Sequence, residues 1–89
     1  MEVTGIQRNG DVAYRELASG EGGVLLHLGT GQYYGVNRLG AVIWSLLDGE
    51  RTGDGVVAEL RARVEDPPPT FMADVERFLD GMRQRALIR

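Results

Sequence analysis

Eighty-nine residues leave room for one small hydrophobic core, so the chain reads as a single domain over residues 1–89. Hydrophobic residues make up 43% and charged residues 26%, which sets it apart from disordered chains. There is no cysteine, one histidine and no lysine among ten basic residues, and the net charge is −3. These counts exclude disulfides, thiolate metal sites, cysteine nucleophiles, Schiff-base lysines and the phosphate-loop lysine, and they disfavour a dedicated nucleic-acid binder. No run is apolar for the roughly 20 residues of a membrane span, and the opening MEVTGIQRNGD does not look like a signal peptide. A cytoplasmic, non-catalytic domain without cofactor or metal, contacting neither membrane nor nucleic acid, is the expectation.

The chain changes character near Asn37. Before it, Asp11–Leu17 has the Val and Tyr of a strand, and Ala18–Gly23 (ASGEGG) is turn chemistry. Val24–Leu28 is a second strand, with Val24, Leu26 and Leu28 on one face and Leu25 and His27 on the other. Gly29-Thr30-Gly31 closes a hairpin onto a third strand, Gln32–Val36. Two successive hairpins predict a three-stranded antiparallel meander with its third strand at an edge. His27, with no second histidine or cysteine to share a metal, reads as a strand histidine on a half-exposed face. Gly29-x-Gly31 lies between two strands, so it is a hairpin rather than a phosphate cradle.

After Asn37, which suits an N-cap, Leu39, Ile43, Leu46 and Leu47 recur at helical spacing over Arg38–Leu47, and Gly49 suits the left-handed residue that follows. Thr52 caps a second helix reaching about Val64. Pro67-Pro68-Pro69 forces an extended link, and Thr70 is placed to cap a third helix from Phe71 to about Ala86. Its apolar residues Phe71, Met72, Val75, Phe78, Leu79, Met82 and Ala86 cover an arc of about 120°, wider than one packing seam needs. Phe71 and Phe78 lie toward one edge of the arc, Met72 and Leu79 toward the other. One flank can pack the core while the other lines a groove. The order βββααα predicts an α+β fold of winged helix-turn-helix type.

Tyr33-Tyr34-Gly35-Val36 is the most informative short run. Tyrosines on an edge strand present aromatic surface to both faces beside unpaired backbone groups, and Gly35 leaves space for a second backbone. That pattern fits either a hairpin strand packed on helices or β-augmentation by an added peptide strand. Glu76 and Arg83 fall beside the Met72/Leu79 flank, within reach of such a peptide. A Tyr34→Pro change is expected to remove an edge N–H and abolish binding. The same edge is open to pairing with a second copy of the chain. A small winged-helix DNA-binding regulator is the competing class, although Arg77, Arg83, Arg85 and Arg89 form no single stripe.

Leu25, Gly31, Tyr34, Val36-Asn37, Gly40, Ile43-Trp44 and Leu46-Leu47-Asp48-Gly49, with the second helix and the ending Arg85–Arg89, resemble the PqqD-like family over about Asp11–Ile88. Members of that family are RiPP recognition elements, binding the leader of a ribosomally made, post-translationally modified peptide. The resemblance implies an antiparallel leader strand on the third β-strand, at Gln32, Tyr33, Tyr34, Gly35 and Val36. It implies a groove wall from Phe71, Met72, Val75, Leu79 and Met82. Two branches differ in partners. One presents its peptide to a radical-SAM enzyme in quinone-cofactor synthesis. The other serves lasso-peptide pathways with a leader peptidase and a macrolactam synthetase. The all-arginine, glycine-rich composition suits a GC-rich bacterial genome and favours the lasso branch. The PPP before the last helix departs from the family's more polar linker.

Overall fold

Three strands come first and three helices follow: β1 (Val12–Glu16), β2 (Gly22–His27), β3 (Gln32–Asn37), α1 (Arg38–Leu46), α2 (Gly53–Arg63) and α3 (Phe71–Gln84). This is the α+β order read from the sequence. The computed structural model describes residues 5–89, so the first four residues of the stretch weighed as a signal peptide lie outside it. None of the described helices is long and apolar enough to cross a membrane.

The strands form one antiparallel sheet in the order β1-β2-β3, which leaves β3 at an edge. Leu25 pairs with Tyr14 on one side and Tyr34 on the other. The phase of the ladder follows from its ends. Leu28 N–H donates to Asp11 O at 2.8 Å and Leu17 N–H to Gly22 O at 2.9 Å. Alternate β2 residues therefore bond to β1, and Gly23, Leu25 and His27 bond to β3. It follows that Gln32, Tyr34 and Val36 direct their backbone groups into the sheet, whereas Tyr33 and Gly35 direct theirs to the open edge.

The helices cover the face that carries Leu25 and His27. Leu25 is 0% and His27 7% exposed, whereas Val24 and Leu26 are only half-buried and Leu28 is 62% exposed. This corrects the half-exposed histidine expected from the sequence. His27 Nδ1 accepts from the N–H groups of Gly29 and Thr30, at 3.1 and 3.3 Å, and so ties down the exposed hairpin loop.

Asn37 and Thr52 cap as expected, accepting from Gly40 N–H at 2.8 Å and Gly55 N–H at 3.3 Å. Thr70 does not. Its hydroxyl donates to Asp74 Oδ2 at 3.1 Å, and its side chain accepts from no helix N–H. The third helix also stops sooner than the apolar periodicity suggests. Ala86 takes a left-handed φ of 57°, which turns the chain and buries Leu87 and Ile88.

That C-terminal tail is held by a segment with no strand signal in the sequence. Gln7 bridges Asp48 and Arg8 bridges Ile88, with Asn9 N–H donating to Leu87 O at 2.9 Å and Arg89 N–H to Gln7 O at 2.8 Å. Arg8 Nε donates to Trp44 O at 3.1 Å, and its guanidinium lies over the Trp44 ring. The core thus joins Ile6, Leu25, the inner faces of all three helices and the tail.

Candidate functional site

Between β3 and α3 runs an open groove of about 460 Å³. Its sheet wall is Tyr33, Tyr34, Gly35 and Val36, its floor Leu25, Met82 and Leu87, and its helix wall Arg77, Phe78, Gly81 and Arg85. The sheet wall is also the free edge, so backbone donors and acceptors of Tyr33 and Gly35 lie along the rim of a trough with an apolar floor. A Cβ built on Gly35 would meet no atom within 4 Å, so the sheet face that carries Val24 is uncovered at this position.

Two glycines inside helices shape the groove. A Cβ at Gly40 of α1 would lie 3.0 Å from Phe78 Cε1 and 3.1 Å from Val36 Cβ, so Gly40 lets Phe78 and Val36 close on one another at one end. A Cβ at Gly81 would lie 2.9 Å from Arg85 Nη1. Without it, Arg85 reaches back across the groove to the Tyr34 ring, its guanidinium carbon 5.4 Å from the centroid. The Tyr34 hydroxyl in turn donates to Gln32 Oε1.

The residues named from the sequence fall into three groups. Tyr33, Tyr34, Gly35, Val36 and Met82 line the groove, with Gln32 at the start of the same strand. Phe71, Val75 and Leu79 are 4%, 0% and 2% exposed, so they hold α3 on the core, and none of them lines this groove. Met72, Glu76 and Arg83 lie elsewhere. Glu76 and Arg83 line a separate depression with Asp54 and Asp80, against the start of α2, and Met72 is an exposed neighbour on the same side of the helix. The helix flank that meets β3 is the Phe78 flank, not the Met72/Leu79 flank. At 100° per residue Arg77, Gly81 and Arg85 follow Phe78 on that side. Sequence reading passed over Phe78 as a groove residue, and it passed over Gly81, Arg77 and Arg85. Its available signal was Gly81, a helix breaker in mid-helix that implies a close approach on its side.

The phase of the ladder also moves the proline test. Tyr34 N–H points to Leu25, so proline there would break the hairpin; the edge N–H groups belong to Tyr33 and Gly35. Away from the groove, Asp48 has a depressed pKa. The N–H groups of Glu50 and Arg51, at 2.9 and 3.1 Å, and then the Arg51 guanidinium, hold its carboxyl below the ordinary carboxylate range. Among the described residues, no three His, Cys, Asp or Glu side chains converge as metal ligands would.

A free strand edge beside a groove with apolar seats is the arrangement with which β-augmentation modules take up extended chains. The chain belongs to the PqqD family: residues 22–88 match the family described as coenzyme PQQ synthesis protein D. Among solved structures, that of TbiB1 in complex with the TbiA(beta) leader peptide is similar, with TM-score 0.78 and 29% sequence identity over 93% of this chain and 94% of that one. No curated protein matches it.

Proposed function

We propose that this protein binds the leader of a ribosomally made precursor peptide without catalysing a reaction on it. The leader adds as an antiparallel strand to β3 and sets alternate side chains into the groove against α3. The observation that carries this reading is the free backbone of Tyr33 and Gly35 along the rim of a groove floored by Leu25, Met82 and Leu87. Similarity to TbiB1, which was solved with a leader peptide, supports it. The same likeness favours lasso-peptide biosynthesis; in this reading the protein works in the cytoplasm and delivers the bound leader to a leader peptidase and a macrolactam synthetase. The family description favours a second route, delivery to a radical-SAM enzyme in quinone-cofactor synthesis.

Several main-chain hydrogen bonds and one or two apolar anchors, offset by ordering of the leader, place Kd at roughly micromolar to tens of nanomolar. The test is fluorescence anisotropy with the labelled leader of the precursor encoded nearest this gene, beside a scrambled leader and a random DNA duplex. Saturable binding to the leader alone is expected. Binding to the scramble with equal affinity, or salt-sensitive binding to the duplex alone, refutes the reading. Adding the peptidase, the synthetase or the radical-SAM enzyme to the complex then separates the two routes. Without peptide the β3 edge is open to a second copy, which sedimentation over a range of concentrations reports.

A further inference from the structure

Arg77 and Arg85 stand on the helix wall of the groove, and among the described residues no carboxylate lines it. In a chain of net charge −3 this is a local reversal of sign. The two arginines are held differently. Arg77 has a side chain 80% exposed and lies 3.9 Å from Asp74 Oδ1, on its own helix. Arg85 makes no ion pair among the described residues and is laid on the Tyr34 ring. A guanidinium held over a ring by its charge spends none of its N–H donors on that contact, which leaves them free for a carboxylate. Gly81 makes room for that pose at a helix position where glycine lowers stability. The groove thus holds an oriented cation without a partner.

We infer that Arg85 reads an acidic side chain of the bound peptide, and that the recognised segment carries an apolar residue followed two positions later by Asp or Glu. The acidic partner rests on the antiparallel strand addition proposed above. Tyr34 and Val36 face the groove two residues apart, and the groove-facing side chains of an added strand share that period. The Val36 end is apolar, walled by Phe78; the Tyr34 end is cationic, under Arg85. An antiparallel strand passes the Val36 end first, so its apolar anchor precedes its carboxylate.

A phage-displayed library of random 12-residue peptides selected on the full chain, wild type and Arg85→Glu, tests this. Wild type is expected to enrich the apolar-x-Asp/Glu pattern, and Arg85→Glu to replace the acid by Arg or Lys. A fluorescein-labelled peptide enriched on wild type should bind Arg85→Gln roughly three- to tenfold more weakly, with a shallower salt dependence. Enrichment without an acid at that position, an acid retained on Arg85→Glu, or equal binding to Arg85→Gln overturns the inference. The two readings fail separately. Enriched peptides that bind Gly35→Pro unchanged refute strand addition and the acidic partner with it. Peptides weakened by Gly35→Pro yet indifferent to Arg85→Gln leave strand addition standing and remove only the acidic partner.

Discussion

Two adjacent residues of β3 should answer proline in opposite ways. Tyr34 N–H lies in the ladder and donates to the carbonyl of Leu25, which is fully buried. Tyr34→Pro leaves that carbonyl without its partner, at about 1–3 kcal/mol. It also removes a half-buried ring that packs on the core and carries Arg85, worth roughly another 1 kcal/mol. A domain of this size is stabilised by only about 5–10 kcal/mol, so a large part of its stability goes. Gly35 N–H faces the open edge, its φ is not positive, and its Cβ position is empty. Gly35→Pro therefore sacrifices no ladder bond and should shift stability by no more than about 1 kcal/mol, as edge prolines do. On an added strand the effect is direct. One main-chain hydrogen bond of about 0.5–1.5 kcal/mol is lost, and the ring stands where the peptide backbone must approach. Binding should weaken at least about fivefold. Urea melts of both variants and anisotropy titrations of Gly35→Pro with the labelled leader measure these quantities. Leader affinity within twofold of wild type for Gly35→Pro, or an unchanged urea midpoint for Tyr34→Pro, would refute the assigned phase or the binding edge.

The other predictions concern the walls, the floor and one loop. Gly40→Ala sets a methyl against Phe78 and Val36 and narrows the groove, so leader affinity should fall several-fold while helix propensity and overpacking largely offset in the melt. Met72→Ala, Glu76→Ala and Arg83→Ala, on the flank turned from β3, should each leave leader affinity within about twofold in the same titration. Leu87→Ala truncates a side chain 2% exposed and should destabilise by about 2–5 kcal/mol, seen as a lower urea midpoint. The depressed Asp48 pKa stabilises the loop after α1 above the ordinary carboxylate pKa, and that contribution is lost as pH falls through the folded value. Asp48→Asn should therefore narrow the difference between melts at pH 7 and pH 3.

Most of the architecture was legible because its punctuation is local. Asn37 and Thr52 accept the helix N–H groups their side chains are suited to, and Gly31 and Gly49 take the positive φ their turns require. What escaped depends on contacts distant in sequence. His27 is buried because the helices settle on the Leu25 face, a choice between two apolar faces that alternation cannot make. Ile6–Asn9 carries no strand pattern and is placed by the loop after α1, some forty residues away, and by the tail, some eighty residues away. On α3 the apolar arc reaches Met72 on one side and Phe78 on the other, so periodicity identified a helix with a spare flank but not its direction. The helix glycines beside the groove, Gly40 and Gly81, held that information.

The sheet's two edges are not alike, and the difference bears on function. β1 carries Arg15 and Glu16, the charges that keep an edge from recruiting another strand. β3 runs Gln32–Asn37 with neither charge nor proline, so its edge is unguarded where the groove adjoins it. An edge left open in this way is a hazard unless something pairs with it, and the trough alongside selects what does. The floor of that trough is the core itself: Leu25, Met82 and Leu87 belong to both. Substitutions there will lower stability and affinity together, and a lost signal will not say which was hit. Gly35 and Arg85 stand at the rim, where the chain's own packing asks little of them. Peptide recognition can be separated from folding at those two positions, and a binding change there without a change in the melt is the mark of a contact with the peptide.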